Sequence, residues 1–336
     1  MTNLENITNR FWRLDKNPDG NDYASAMSLQ EVPLAAPQEN EVIIKNKYLS
    51  LDAGTRMWMT TREDGYQPPL PLGTPMVGLG VGEVIASADP NFAVGDLVRC
   101  FGQWAEYSIV TAELSGLMKL DADIEDLRQH LGALGFNGWT ALWGITETGK
   151  AQPGEKVLVS AAAGSTGILA CQIAKDLGCD VYGTAGGPEK CAMLEKQYGI
   201  TAFDYKSQDI GAELAKLEGG IDVYFDNVGG PQLDQVLPNM AMYGRIAISG
   251  FIAEYSGQPT QPKRYDQILM KRLTVTGFFS PDFADQGERL TAELKEKYLA
   301  GKLTMPFEET QGLENMLDAY AKLFTGGNTG KTILAL

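Results

Sequence analysis

A short glycine turn lies between a strand pattern and a helical pattern near the middle of the chain: residues 157–167 read VLVSAAAGSTG, and ILACQIAKDLG follows directly. Gly164 and Gly167 match the second and third glycines of the fingerprint G-x-G-x-x-G, which let a pyrophosphate approach the backbone and let helix and strand pack closely. Ala162 replaces the first glycine, which only eases the turn. A corner of small residues used for packing alone is the alternative, but the strand-turn-helix order favours phosphate binding at the helix N-terminus. The predicted phosphate-binding residues are Gly164, Ser165, Thr166 and Gly167.

The next predicted strand lacks the acidic end that an NAD site uses. DVYGTAGG ends in neutral residues 184–187, where NAD-binding sites usually have an acid for the ribose 2′-hydroxyl. Lys190 follows in the next helix, and Tyr205 and Lys206 close the third strand in FDYK. A neutral pocket with a nearby lysine suits a 2′-phosphate, so we predict NADPH as the cofactor. An ordinary solvated helix residue is the alternative role for Lys190.

A later strand pattern, DVYFDNVGG, ends in a glycine turn with Asn227 at its carboxyl end. Ligands of parallel sheets bind beyond the carboxyl ends of the strands, so Asn227 is a candidate cofactor ligand. A simple turn or capping residue is the alternative.

These residues need a parallel sheet to position them. From residue 155 the short apolar patterns KVLVSA, DVYGTA, AFDY, DVYFDNV and GRIAISG alternate with helical patterns such as EKCAMLEKQYG and LDQVLPNM. This alternation predicts an α/β fold with helices on both faces of a parallel sheet. Residues 41–110 instead show short strands separated by turns, and the acidic residues 114–133 predict a helical segment. GERLTAELKEKYLAG and GLENMLDAYAKLFTGG are further predicted helices, and KTILAL a last strand.

The composition excludes several classes of protein. With 336 residues, the chain is long enough for two domains. Its 43 acids against 28 bases give a net charge of −15, which argues against nucleic acid as a partner. No apolar run is long enough to span a membrane, and the first residues show no signal pattern. Cys100, Cys171, Cys179 and Cys191 form neither a disulfide framework nor a zinc motif, so we expect a reduced, cytoplasmic protein.

Taken together, the motifs of the chain resemble those of a known family. VSAAAGSTG, AGGPEKC, FDYKSQD, YFDNVGG, GRIAISGFIAEY and GGNTGKTIL, together with YLSLDAGTRMWM, GYQPPLPLG and VGLGVGEV, are similar to motifs of the zinc-independent medium-chain dehydrogenase/reductases. More narrowly, they resemble the alkenal/prostaglandin reductases, over almost the whole chain. The resemblance implies a Rossmann doubly wound parallel sheet at residues 123–298. This domain would be inserted in a mostly β, GroES-like catalytic domain at residues 1–122 and 299–336.

The same resemblance assigns residues to the cofactor. Lys190, Tyr205 and Asn227 are the implied NADPH contacts. Further implied residues line the nicotinamide side or close the site: Ser249, Gly250, Tyr255, Phe278, Phe279, Ser280 and Asn328. Without the resemblance, Asn328 is simply a turn residue in GGNTGK.

The chemistry that the resemblance implies is reduction of a carbon–carbon double bond without a metal. Zinc-dependent relatives bind their metal through cysteine, histidine and an acid, whereas the equivalent turn here reads GLGVGEV and the only histidine, His130, is expected to be structural. NADPH would then transfer hydride to the β-carbon of an α,β-unsaturated aldehyde or ketone. A neutral tyrosine hydroxyl suits the carbonyl oxygen on which charge develops. Tyr255 is the first candidate and Tyr66 the second, with a rim role and a packing role as their alternatives. Water or a tyrosine supplies the proton to the α-carbon.

Several features of the substrate side leave alternatives open. Arg56 anchors a substrate carboxylate or a nicotinamide-side group, or it forms a structural ion pair. The family commonly has a bulky residue, often tyrosine, after Leu-Ser-Leu-Asp, where this chain has Ala53 and Gly54, so we expect a reshaped pocket. A zinc-independent quinone reductase and a non-catalytic NADPH-binding protein are the alternative functions. We also expect a homodimer, because KRLTVTGFF would form an apolar edge strand of the Rossmann sheet.

Overall fold

The computed structural model describes residue 4, residues 7–255 and residues 260–336. The chain divides into two compact units, residues 1–131 with 307–336 and residues 132–306. The 3-10 turn Leu127–Leu131 belongs to the first unit, because Arg99 Nη1 donates to the carbonyl of His130 at 3.1 Å. Residues before the second boundary stay with the second unit because the side-chain amide of Gln172 binds both the N–H and the carbonyl of Thr304, each at 2.9 Å.

The first unit is mostly β. Its elements up to residue 119 are β1 (Thr8–Leu14), β2 (Met27–Pro33), β3 (Glu41–Ser50), β4 (Thr74–Pro75), β5 (Val77–Ser87), β6 (Leu97–Gln103), β7 (Tyr107–Thr111), α1 (Ala112–Ser115) and β8 (Met118–Lys119). β1 pairs antiparallel with β2 and β4. β3, β5, β6 and β8 form a second antiparallel series, with β7 also paired on β3.

Residues 114–133 do not form the helical segment that their composition predicted. α1 ends at Ser115, and only a 3-10 turn at Leu127–Leu131 follows later. The acids of this stretch bind nearby backbone amides instead. For example, Asp126 accepts from the N–H of Arg128 at 3.1 Å. Such local side-chain bonds compete with helix formation.

The second unit alternates helices and strands. Its elements are α2 (Phe136–Trp143), β9 (Lys156–Val159), α3 (Ser165–Asp176), β10 (Asp180–Ala185), α4 (Pro188–Met193), β11 (Thr201–Asp204), α5 (Ile210–Leu214), β12 (Ile221–Asp226), α6 (Gly230–Val236), β13 (Met240–Ile248), α7 (Asp266–Met270), β14 (Thr274–Gly277) and α8 (Gly287–Leu299). The strands are all parallel, in the order β11-β10-β9-β12-β13-β14. This is the doubly wound order of a dinucleotide-binding sheet, so the predicted fold class is confirmed.

The end of the chain returns to the first unit. β15 (Phe307–Gln311), α9 (Met316–Thr325) and β16 (Lys331–Ala335) complete it, and β16 pairs antiparallel with β3. The longer sheet therefore runs β15-β16-β3-β5-β6-β8. None of the described helices is long and apolar enough to cross a membrane.

Each unit has its own hydrophobic core. In the first unit Tyr320 packs edge-on against Tyr23 and Trp104, with ring centroids 4.8 and 5.0 Å apart. In the second unit the central strands β9 and β12 bury Leu158 and Tyr224 among apolar helix residues. Burying one large apolar side chain stabilises a fold by about 1.5–3 kcal/mol, so these cores hold the strand ends firmly in place.

Candidate active site

Close backbone packing shapes the glycine turn after β9. Ala161 has a positive φ of 48°, and its carbonyl accepts from the N–H of Gly164 at 2.9 Å. A Cβ on Gly167 would overlap this carbonyl oxygen, so a larger residue at 167 would displace the turn. α3 begins at Ser165, and its first amides have no acceptor within the helix. These amides are the donors that a pyrophosphate needs.

The alanine in place of the first glycine is accommodated by a neighbouring strand. Ala162 is fully buried, and its N–H donates to the carbonyl of Thr184 at 2.9 Å. A Cβ on Gly183 of β10 would lie only 2.6 Å from the Ala162 methyl group. The methyl group therefore fills the space of the side chain that position 183 lacks, and the turn keeps a shape that fits a dinucleotide.

The residues predicted for the 2′-phosphate lie beyond the ends of β10 and β11. Lys190 is half-buried in α4, and Tyr205 follows β11 directly. The N–H of Tyr205 donates to Ala185, the last residue of β10, at 3.1 Å. Partial burial raises the pKa of Tyr205, which keeps its hydroxyl a neutral donor at ordinary pH.

Asn227 is held in a fixed orientation at the carboxyl end of β12. Its side-chain Nδ2 donates to the carbonyl of Ser160 at 2.7 Å, and its Oδ1 accepts from the Ser249 hydroxyl at 2.9 Å. Its own N–H donates to the Ser160 hydroxyl at 2.8 Å. Asn227 thereby joins the ends of β9, β12 and β13. Of the two hydrogens on its Nδ2, one is bound to Ser160 and the other has no hydrogen-bond partner among the described residues, so it can bind a ligand.

Tyr255 lies beside this asparagine. The position of a Cβ on Gly250 is 3.1 Å from the Tyr255 hydroxyl and 3.4 Å from the Asn227 carbonyl oxygen. The N–H of Phe251 donates to the hydroxyl at 3.5 Å, and the two rings pack edge-on with centroids 4.8 Å apart. The structure therefore brings together four predicted residues, namely Asn227, Ser249, Gly250 and Tyr255.

The predicted wall after β14 belongs to the same unit. Phe278 packs edge-on against Phe225 with ring centroids 6.1 Å apart, and its N–H donates to Ile248 at 3.3 Å. Phe279 is next in the chain, and the Ser280 hydroxyl accepts from that of Thr140 at 3.2 Å.

Tyr66 and Asn328 belong to the first unit. The Tyr66 hydroxyl donates to the carbonyl of Gly54 at 3.4 Å, and burial of the phenol raises its pKa although the residue as a whole is 43% exposed. A Cβ on Gly54 would lie 3.4 Å from this hydroxyl, so Tyr66 packs directly against the position where Gly54 lacks a side chain. Asn328 is partly buried in the loop before β16.

Arg56 is buried among backbone carbonyls, with only 6% of the residue exposed. Its guanidinium donates to the carbonyls of Met59 at 2.8 Å, Pro18 at 3.0 Å and Gly20 at 3.3 Å. Within the part of the chain that the structure describes, no carboxylate forms an ion pair with it. Arg56 therefore joins the loop at residues 18–20 to the 3-10 segment Ala53–Trp58.

The chain is similar to known proteins over almost its whole length. Residues 10–120 match the family described as N-terminal domain of oxidoreductase, and residues 165–296 match the family described as zinc-binding dehydrogenase. The chain is 37% identical over 337 residues to a 2-alkenal reductase (NADP(+)-dependent) of Nicotiana tabacum, with 98% of each protein covered. It is 34% identical to an NADPH-dependent curcumin reductase of Escherichia coli, over 97% of this chain and 96% of that protein. CurA from Vibrio vulnificus, solved in complex with NADPH, superposes with a TM-score of 0.91 at 32% identity, covering 97% of this chain and 98% of that one.

This chain belongs to the zinc-independent medium-chain dehydrogenase/reductases. One of the two matched families is described as zinc-binding. The described residues of this reductase nevertheless contain no group of three or more His, Cys, Asp or Glu side chains that could hold a metal ion.

The cysteines of the reductase are all free and buried. Burial raises the pKa of the Cys100 thiol to about 12 and raises the pKa of Cys171, Cys179 and Cys191 as well. The chemistry of this site therefore has to come from other groups.

Two buried charged residues next to the predicted site were missed from the sequence. Asp226, at the end of β12, accepts through Oδ1 from the Tyr224 hydroxyl at 2.8 Å and from the amides of Val228 and Gly229, both at 2.9 Å. Its Oδ2 is buried and has no hydrogen-bond partner among the described residues. Burial raises the pKa of Asp226 despite these donors. The only sequence signal was an acid at the end of the apolar pattern IDVYFD.

The other buried charge is Lys331 in β16, whose Nζ lies 2.5 Å from Asp52 Oδ1 and 3.4 Å from the carbonyl of Leu51. Asp52 directly precedes the 3-10 segment that carries Gly54 and Arg56.

Proposed function

We propose that this reductase uses NADPH to reduce the carbon–carbon double bond of α,β-unsaturated aldehydes and ketones, without a metal. The observation that carries the proposal is the Tyr255 hydroxyl beside Asn227, at the carboxyl ends of the parallel strands, in a chain of this family. A neutral donor at that edge of the sheet is what a substrate carbonyl needs.

The residues fit the cofactor along the strand ends. The first amides of α3 bind the pyrophosphate, Lys190 and Tyr205 bind the 2′-phosphate, and Asn227 with Ser249 orients the nicotinamide end. When bound, NADPH supplies the hydride for the β-carbon of the substrate. Phe278, Phe279 and Ser280 would line the nicotinamide side within the second unit, and Asn328, in the first unit, is a further proposed cofactor contact.

Charge develops on the substrate carbonyl oxygen during the reaction, and a hydroxyl directed at it lowers the barrier. One such donor acting alone is worth about 2.7–4 kcal/mol, or about 10²–10³ in rate. Tyr255 is the first donor and Tyr66 the second. The carbonyl contacts of Arg56 support a role in shaping the segment at residues 53–58 rather than direct binding of a substrate carboxylate.

The test is steady-state NADPH oxidation with a panel of enals, acyclic enones, cyclic enones and quinones, each also run with NADH. We expect turnover of the enals and enones with NADPH, unchanged after exhaustive chelation. Quinones as the only substrates would favour the quinone reductase alternative. NADPH binding without turnover of any acceptor would indicate that the protein binds the cofactor but does not catalyse a reaction. Activity lost to a chelator and restored by zinc would overturn the metal-free proposal.

We further propose that the reductase is a homodimer. β14 is the outer strand of the parallel sheet, and every residue of this strand is exposed. Exposed apolar side chains lie on this strand, at Val275, and shortly before it in the chain, at Leu269 and Met270 at the end of α7. An exposed apolar edge strand is a template for pairing with a second copy across a two-fold axis.

We also propose a cytoplasmic location. The four free, buried cysteines support it, because a reducing compartment keeps thiols unpaired.

A further inference from the structure

The only acid at the ends of β10 and β11 in the described sheet is Asp204, and its oxygens are already occupied. Oδ1 accepts from the N–H of Gly187 at 2.8 Å and from the N–H of Lys206 at 3.0 Å. Oδ2 accepts from the Ser207 hydroxyl at 2.8 Å. These bonds lower the pKa of Asp204, with the amide of Gly187 as the largest cause. Asp204 thus fastens the turn after β10 to the turn after β11, and both of its oxygens are bound by donors of the protein.

The space that an acid after β10 would need is filled from the neighbouring strand. A Cβ on Gly186 would lie 2.6 Å from the hydroxyl oxygen of Tyr205 and 3.0 Å from Cε of Lys206. Any side chain at 186 would therefore meet both residues. In NAD-binding sheets an acid at this strand end accepts from the ribose 2′-hydroxyl. In this chain the hydroxyl group of Tyr205 and the end of the Lys206 side chain occupy that position instead.

Lys206 has the properties of an anion ligand. Its side chain is exposed, and its Nζ forms no hydrogen bond or ion pair with any residue that the structure describes. The amide of Lys206 is bound by Asp204, so the base of the side chain is fixed while its ammonium group stays available.

We propose that Lys206 is a second lysine that binds the cofactor's 2′-phosphate, and that Gly186 is a specificity-determining residue because it leaves room for Lys206 and Tyr205 over the end of β10. This inference rests on the proposed use of NADPH. A larger residue at 186 would displace the ends of two flexible, partly exposed side chains and leave the sheet intact. A substitution there therefore changes cofactor choice rather than folding.

The test measures binding directly, by isothermal titration calorimetry of the full chain with NADP⁺ and with NAD⁺, which differ only in the 2′-phosphate. Lys206→Ala should weaken NADP⁺ binding roughly tenfold, the scale of one hydrogen bond to a charged group. NAD⁺ binding should not change. Lys206→Arg should retain most of the affinity for NADP⁺. Gly186→Ala should also weaken NADP⁺ binding selectively, with an unchanged melting temperature.

Lys216→Ala is the matched control. It removes the same charge from an exposed lysine of the second unit, where Lys216 pairs with Glu213 at 2.6 Å, and it should leave both affinities unchanged. If the wild-type chain prefers NADP⁺ but Lys206→Ala behaves like Lys216→Ala, the inference is wrong and the proposed function stands. If the wild-type chain shows no preference for NADP⁺, the cofactor assignment itself fails, and this inference with it.

Discussion

Lys331 Nζ lies 2.5 Å from Asp52 Oδ1, and the lysine side chain is completely buried. The pair joins the last strand of the chain to the residue before Ala53–Trp58, the segment that carries Gly54 and Arg56. The Thr55 hydroxyl donates to the Asp52 carbonyl at 2.7 Å, so the same aspartate also fixes the start of that segment. The shape of the segment Ala53–Trp58 therefore depends on a charge located almost three hundred residues away in the sequence.

Lys331→Met should destabilise the chain by about 1.5 kcal/mol, the lower end for a hydrogen bond to a charged group, because Asp52 loses its partner but its side chain is 30% exposed and stays partly hydrated. Urea denaturation followed by circular dichroism measures this loss. The matched control is Lys119→Met, which breaks the more exposed pair with Asp96 in the same unit and should leave the midpoint almost unchanged. Equal losses for the two variants would mean that burial of the Lys331 pair contributes nothing.

Tyr255→Phe tests the proposed donor. The change removes the hydroxyl but keeps the ring that packs on Phe251. We expect kcat to fall by about 10²–10³, or only about tenfold if Tyr66 compensates, with NADPH affinity unchanged, because the interaction strengthens only as charge develops. Stopped-flow rates and NADPH titration separate the two quantities.

The control for that experiment is Tyr298→Phe, in α8, whose hydroxyl makes no hydrogen bond among the described residues. It should retain full activity. A Tyr255→Phe enzyme with normal kcat, or with a defect only in NADPH affinity, would remove Tyr255 from the reaction.

The sequence predicted the parts of the fold that depend on local pattern. Each strand pattern from KVLV to GRIAI became a strand of the parallel sheet, and the glycine turn formed despite Ala162. KRLTVTGFF contains the edge strand β14, as expected. These features follow from periodicity and turn chemistry within about ten residues, which a single sequence displays.

The features that the sequence did not reveal depend on distant partners. In the sequence, Lys331 in KTILAL looks like an exposed strand residue, because a single charge is costly to bury. In the fold, the ion pair with Asp52 compensates for the loss of hydration. Asp226 likewise ends an apolar strand, and only the fold brings the hydroxyl of Ser160, from the end of β9, to within 3.2 Å of its Oδ1. The close contact between Ala162 and Gly183 also joins two strands whose register no single sequence shows.

The proposed role of Tyr66 as the second donor predicts a pH dependence for the reaction. Burial raises the pKa of Tyr66 above its usual value of 10.0, so its neutral hydroxyl persists to higher pH and is lost as the pH rises through that raised pKa. In the Tyr255→Phe background, kcat should therefore be constant across neutral pH and fall only above about pH 10. The double variant Tyr255→Phe, Tyr66→Phe should lack this alkaline fall. A decrease in kcat that begins near neutral pH would mean that a group other than Tyr66 titrates.

The proposed dimer predicts a mass in solution of twice the 36.4 kDa chain. Light scattering coupled to size exclusion should show this mass at micromolar concentration. Replacing both Leu269, which is 73% exposed, and Val275 with Asp should give a folded monomer, because charge at an exposed edge opposes pairing. Leu114→Asp is the control, since this leucine is 88% exposed in the other unit. A monomeric wild-type chain would contradict the proposal.

The buried cysteines predict resistance to alkylation. Incubation with an α,β-unsaturated aldehyde, followed by peptide mass spectrometry, should show adducts on Cys100 and Cys171 only after the chain is unfolded, because both thiols are inaccessible and protonated. Rapid modification of either residue in the native chain would show that the thiols are accessible.

Enals and enones are Michael acceptors, and the nucleophile they consume first in a protein is an accessible thiolate. In this chain all four cysteines are buried, and burial raises the pKa of every thiol. The proposed substrates are therefore far more toxic to enzymes that depend on an activated cysteine than to the enzyme that removes them. The reductase should therefore remain active at aldehyde concentrations that inactivate enzymes with an activated cysteine.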